Sequence, residues 1–184
     1  TGLKVQGVRG EFTIPIPAVA KIEELTEKKD LYFIAVKAHD LLDTARAILP
    51  YLNDSSRVIC MENGIVIDAV GEIVGQNRTV GCVTGWGSTM HALGIVEMTS
   101  TGEFVIGKSD NQPDPFLPTI KTILDTIVPC SISTNIYGSI YSKMLVNSCI
   151  TSLGALCGLY LGEMLALKKV RNIFIEIIRE GMAV

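Results

Sequence analysis

Apolar residues follow two different rhythms along this chain. Up to about residue 135 they fall in short runs separated by turn residues, and beyond it they keep helical spacing almost without a break. The chain opens on Leu3–Gln6 and Glu11–Ile16, which alternate polar and apolar residues about Gly7-Val8-Arg9-Gly10 and predict a hairpin. A charged segment near Ala20–Lys29 is expected to form a short helix. Leu31–Val36 is apolar on both faces, as a strand in the middle of a parallel sheet must be, and it ends at Lys37. Asp40–Leu49 then carries Leu41, Leu42, Ala45, Ile48 and Leu49 at helical spacing, with Pro50 as its stop.

The cycle repeats. Arg57–Met61 reads as a second strand, Glu62-Asn63-Gly64 as a turn, Ile65–Val74 as a helix closed by Gly75, and Thr79–Thr84 as a third strand. Three such repeats indicate an α/β sheet with right-handed connections. After Trp86 the pattern changes. Gly94–Thr99 and Glu103–Ile106, separated by Ser100-Thr101-Gly102, predict an antiparallel extension. A polar, proline-bearing loop spans Lys108 to Pro118, followed by a helix near Phe116–Ile127 and a short strand at Pro129–Ser133. From Tyr137 to Leu161, and again from Glu163 to Met182, every strong signal is helical. The expectation is an α/β domain over residues 1–134 and an all-α region over 135–184.

Composition narrows the function classes. With 48% hydrophobic and 19% charged residues and a mean hydropathy of +0.38, the chain is not intrinsically disordered. A net charge of −3, with no basic run longer than two residues, argues against a nucleic-acid partner. Met144–Gly162 holds no charge, yet Asn147, Ser148, Thr151 and Ser152 interrupt it, so a helix packed on all sides is expected there and no membrane span. Five cysteines at wide spacings, with no CxxC pair, predict reduced thiols in a cytoplasmic protein and no metal site. His39 and His91 have no partner placed beside them by sequence.

Three places carry candidate chemistry. Lys37 ends one strand and Asn63 follows the next, and ligands of open parallel sheets bind beyond such strand ends. A charged residue at a strand exit and an Asn-Gly turn need no function, but two successive exits here point polar groups at one place. Lys143, Asn147 and Thr151, spaced four and four, lie along one face of the most apolar helix. Lys143 either reaches the helix edge or lines a polar cavity, where burial suits it to proton donation near neutral pH. Gly85-Trp86-Gly87-Ser88 begins like a dinucleotide loop but lacks the third glycine and leads into extended structure.

Taken in order, Val36-Lys37-Ala38, Glu62-Asn63-Gly64, Thr79–Thr84, Phe104–Gly107 and Tyr141–Asn147 resemble the ketopantoate reductase (2-dehydropantoate 2-reductase) family along essentially the whole chain. The resemblance implies the remainder of a Rossmann-type nucleotide-binding domain followed by the start of an all-α C-terminal domain. It also implies NADPH-dependent reduction of 2-dehydropantoate to pantoate, on the route to pantothenate and coenzyme A. In such enzymes the helix lysine is the general acid, which falls on Lys143. The substrate-holding asparagine falls on Asn147, with Thr151 one turn on. The cofactor-side lysine and asparagine fall on Lys37 and Asn63.

The family's GxGxxG loop does not occur in this sequence, so the resemblance predicts an interior portion of such an enzyme and leaves NADP against NAD open. Where the family carries a second asparagine followed by proline, this chain has Thr151 and Ser152. That keeps two alternatives: a reductase of another 2-oxo acid, or a catalytically silent nucleotide-binding protein on the same scaffold. The apolar helix is covered either by further helices or by a second subunit, so a homodimer also stays open.

Overall fold

A computed structural model describes residues 2–184; Thr1 lies outside them. The chain divides into two compact units, the first running to Ile136 and the second from Tyr137 to Val184.

The first unit holds two sheets. Its main sheet has five strands: β3 (Leu31–Ile34), β4 (Arg57–Cys60), β5 (Thr79–Thr84), β8 (Phe104–Gly107) and β9 (Cys130–Ile132), in that spatial order. β3, β4 and β5 run parallel, β8 runs antiparallel to β5, and β9 runs parallel to β8. Both faces are covered, which is why β4 reads as a continuous apolar run. Val58 and Cys60 point into one core with Ile34, Leu41, Ala45 and Val70, while Ile59 joins Val80, Phe104, Ile106, Ile120 and Leu124 in the other. Helices α1 (Leu41–Ala47) and α2 (Ile67–Val74) supply the first core and α3 (Leu117–Asp125) the second.

The smaller sheet has four strands in the order β2-β1-β7-β6, made of β1 (Leu3–Gly7), β2 (Phe12–Ile14), β6 (Ser88–Ala92) and β7 (Ile95–Met98). Here the expected hairpin of β7 with β8 is corrected. β7 pairs antiparallel with β6 and parallel with β1, whereas β8 lies in the main sheet beside β5. The chain leaves the main sheet at Gly85, whose N–H donates to the Glu103 carbonyl at 2.8 Å, and returns beside that point to begin β8. Sequence adjacency favoured pairing β7 with β8, but the crossover sends them to different sheets.

The helix expected near Ala20–Lys29 is absent apart from one turn at Ile22–Glu24. Only Ile22 and Leu25 in that segment are apolar and large, too little to form a buried helical face. The strand expected to end at Val36 stops at Ile34. In the second unit the helix expected over Glu163–Met182 is two helices, α5 (Leu161–Ala166) and α6 (Lys168–Ala183), with Leu167 extended between them. Arg171 caps the break by donating to the carbonyls of Leu165 and Ala166. These helices and α4 (Ile136–Cys157) close a small core of Leu153, Met164 and Val170.

Two buried features hold the main sheet together. Arg57, at the start of β4, donates from Nε to Asp114 Oδ2 at 2.8 Å and stacks 4.3 Å above the Phe116 ring. The side chains of this pair are 13% and 4% exposed, so the charges are shielded from screening. Glycines 81 and 107, opposite one another on β5 and β8, form a notch for the fully buried Ile136. A Cβ at Gly81 would lie 2.9 Å from Ile136 Cγ1 and 3.0 Å from Ile67 Cδ1.

Asp114→Ala strands the Arg57 charge and is expected to cost about 3 kcal/mol, read as a lower urea midpoint at unchanged slope. A loss below about 1 kcal/mol would mean that water reaches the pair after all. Gly81→Ala overfills the notch and is expected to cost about 2 kcal/mol. In a double-mutant cycle its cost should shrink in an Ile136→Ala background, and additivity would show that the notch does not limit the strand.

Candidate functional site

The parallel register of β3 and β4 sets Ile34 opposite Cys60, and the pairing continues one step as the Met61 N–H donates to the Ile34 carbonyl at 3.0 Å. Both strands stop there, so their exits leave side by side. Ala35–Ala38 from one and Met61–Asn63 from the other line a cleft of about 330 Å³. On the first exit the Asp40 N–H donates to the Lys37 carbonyl at 2.9 Å, turning the chain toward α1 and leaving Lys37 exposed. On the second, Gly64 takes φ +99°, a conformation that favours glycine, and the turn leaves Asn63 exposed at the cleft.

Lys37 and Asn63, picked from sequence as cofactor-side residues, are thus brought to one cleft. Between them lies Glu62, which the sequence reading placed only in a turn. Its Oε1 accepts the Val36 N–H at 3.2 Å, which joins the two exits, and its Oε2 is buried with no hydrogen-bond partner. Burial raises the Glu62 pKa above the usual carboxylate value, against the lowering effect of nearby backbone N–H groups. The nearby Cys60 thiol is pushed up to about 12, by burial first and then by the Glu62 charge, so it is no nucleophile. The only sequence signal for Glu62 is its position between a strand end and an Asn-Gly turn.

Chemically the cleft offers an ammonium and a carboxamide, and its wall includes the Glu62 carboxylate with one oxygen buried and unpartnered. That set suits a ligand rich in hydroxyl and amide groups.

In the second unit, Lys143 and Asn147 are half-buried on α4 and Thr151 is exposed. The Thr151 hydroxyl donates to the Asn147 carbonyl at 2.7 Å, so its proton is spent within the helix. Trp86 belongs to no phosphate loop. Its ring packs edge-on against Phe104 at 5.7 Å, beside an apolar cavity of about 500 Å³ under the small sheet. The histidines do have carboxylates: His91 Nε2 lies 2.6 Å from Glu97 Oε2 across β6 and β7, and His39 lies 3.2 Å from Asp40. The first is a cross-strand contact that no linear spacing reveals, and both pairs are exposed. Among the described residues no group of three or more His, Cys, Asp or Glu could hold a metal ion, and no helix is long and apolar enough to cross a membrane.

The family model described as "Ketopantoate reductase PanE/ApbA" matches residues 1–111, and its C-terminal counterpart matches residues 135–184. A 2-dehydropantoate 2-reductase of Aquifex aeolicus is 28% identical over 158 residues, covering 84% of this chain and 51% of that protein. The chain therefore spans about half the length of the curated relatives it matches. In fold, the 2-dehydropantoate 2-reductase of Geobacter metallireducens superposes with a TM-score of 0.90 at 21% identity, covering 99% of this chain and 61% of that one. D-mandelate dehydrogenase, solved with NADH and anilino(oxo)acetate, superposes with a TM-score of 0.82 at 21% identity, over 97% of this chain and 58% of its own. With one family model covering the α/β unit through β8 and another the helices that follow, this chain belongs to the ketopantoate reductase family.

Proposed function

We propose that this chain is part of a reductase that uses a reduced nicotinamide cofactor, NADPH in the first instance, to convert 2-dehydropantoate to pantoate. The observation that carries the reading is the cleft where Lys37 and Asn63 meet at adjacent strand exits. Ligands of open α/β sheets bind beyond the carboxyl ends of the strands, and the resemblance to the family puts cofactor contacts at both residues. Residues 1–134 then act as the nucleotide-binding domain and residues 135–184 begin the substrate domain. Free thiols throughout fit a cytoplasmic enzyme.

The division of labour follows from the residue types. When bound, the nicotinamide supplies the hydride that adds to the carbonyl carbon of the 2-oxo acid. Lys37 and Asn63 hold the cofactor side through their N–H donors. Asn147 hydrogen-bonds the substrate. As negative charge grows on the carbonyl oxygen, the Lys143 ammonium stabilises it and donates one proton, giving the 2-hydroxy acid and a neutral amine that water reprotonates. The exposed apolar side chains of α4, among them Val146 and Leu156, are covered by the rest of the protein or by a second copy.

A second reading keeps the chemistry and changes the acid. The Thr151 proton is committed to the Asn147 carbonyl, so Thr151 offers the substrate an acceptor where the family's asparagine offers a donor as well. A fold neighbour, D-mandelate dehydrogenase, solved with NADH and anilino(oxo)acetate, supports keeping this reading.

Loss of nicotinamide absorbance on mixing the protein with 2-dehydropantoate and a panel of other 2-oxo acids, with NADPH and NADH in turn, decides among these. The fastest turnover is expected with NADPH and 2-dehydropantoate; turnover confined to another acid moves the substrate, and none in a folded, cofactor-binding protein favours a silent scaffold. Lys143→Ala is expected to lower kcat at least about 100-fold with cofactor affinity unchanged, and an unchanged kcat would remove Lys143 as the acid. Asn147→Ala should raise the substrate KM about tenfold with a smaller effect on kcat; a lower Tm with intact kinetics would make Asn147 structural.

A further inference from the structure

Glu62 is the residue of the cleft to which the mechanism gives no role. A carboxylate oxygen that is buried and unpartnered is unusual, because buried polar atoms nearly always find a partner. The other oxygen of the same group is engaged, holding the Val36 N–H across the gap between the exits of β3 and β4. So Glu62 ties down the segment that carries Lys37, and it keeps one buried acceptor without a donor in the wall of the cleft, whose other polar side chains, Lys37 and Asn63, bring N–H donors.

We propose that Glu62 is a positioning residue for the nicotinamide nucleoside, with Oε1 latching the two strand exits and Oε2 accepting a hydrogen bond from the ligand. The donor is a ribose hydroxyl or the carboxamide N–H. The inference rests on the reading of the cleft as a nicotinamide site and adds to it a residue and a direction of hydrogen bonding. Burial raises the pKa of Glu62, against the lowering effect of the backbone N–H groups around it.

Two variants separate the parts. Glu62→Gln keeps an oxygen for Val36 and so turns an amide N–H₂ toward the ligand, a donor where an acceptor stood. Glu62→Ala removes both functions. In the free protein, hydrogen exchange at the Val36 amide should stay slow in Glu62→Gln and accelerate in Glu62→Ala, while the amides within β4 are unaffected. Equal protection in both variants would overturn the latch.

Binding is read by nicotinamide fluorescence with NADPH, with its reduced acetylpyridine analogue, and with ADP as a competitor that lacks the nicotinamide nucleoside. Glu62→Gln should raise the Kd for NADPH about tenfold and leave that for ADP unchanged, with a Tm no lower than that of the parent protein. The penalty carried over to the analogue identifies the ribose as donor, and its loss there identifies the carboxamide; either result supports the contact. An unchanged Kd for NADPH in Glu62→Gln overturns the contact while the nicotinamide reading stands. Failure of the parent protein to bind any nicotinamide dinucleotide overturns that reading and this inference together.

Discussion

Ile34 lies opposite Cys60, and the layout of the cleft depends on that register. Because β3 and β4 are parallel and end at the same level, residues three beyond each strand, Lys37 and Asn63, come out together. A slip of one residue would turn each β4 side chain to the other face, sending Ile59 into the α1 and α2 core and Val58 and Cys60 into the α3 core. Both faces of β4 are apolar and fully covered, so composition alone does not oppose the slip. Shape does, because each core is filled by side chains of fixed size. The polar end contacts add to this. Arg57 is fixed by Asp114 at one end of the strand, and Glu62 is joined to Val36 just past the other.

Those two carboxylates illustrate opposite electrostatic arrangements. Asp114 is buried but satisfied, with Arg57 on Oδ2 and the Phe116 N–H on Oδ1 at 2.8 Å. Glu62 is less buried and leaves one oxygen unpartnered, and burial raises its pKa. A pair of the first kind holds the loop between Lys108 and Phe116 against the sheet and suits a structural role. A group of the second kind, with its pKa perturbed by burial, marks a candidate functional site, and it lines the cleft.

Much of this was legible in the sequence, for identifiable reasons. β4 and β5 are strongly apolar and bounded by turn residues, so their positions follow from pattern. Lys37 and Asn63 are candidates because strand exits in such sheets are where ligands bind, and the structure brings both to one cleft. β6 escaped because Ser88–Ala92 is exposed throughout and carries no alternation to read. The partner of β7 escaped because parallel pairing with β1 joins segments some ninety residues apart, a choice made by the crossover at Gly85 and not by local propensity. The unpartnered oxygen of Glu62 escaped because it depends on where one carboxyl oxygen lies in three dimensions.

The distribution of thiols has a practical side. Cys60, Cys82, Cys130 and Cys149 are buried, and Cys60 and Cys130 are further quieted by raised pKa values, whereas Cys157 is exposed near the end of α4. In this chain by itself an alkylating reagent therefore meets one thiol in the native state and the other four only when the structure opens. Three of those four lie in the two cores of the main sheet and the fourth on α4, so the order in which they become labelled would report which unit opens first. The chain carries its own chemical clock for local unfolding, with Cys157 as the internal standard.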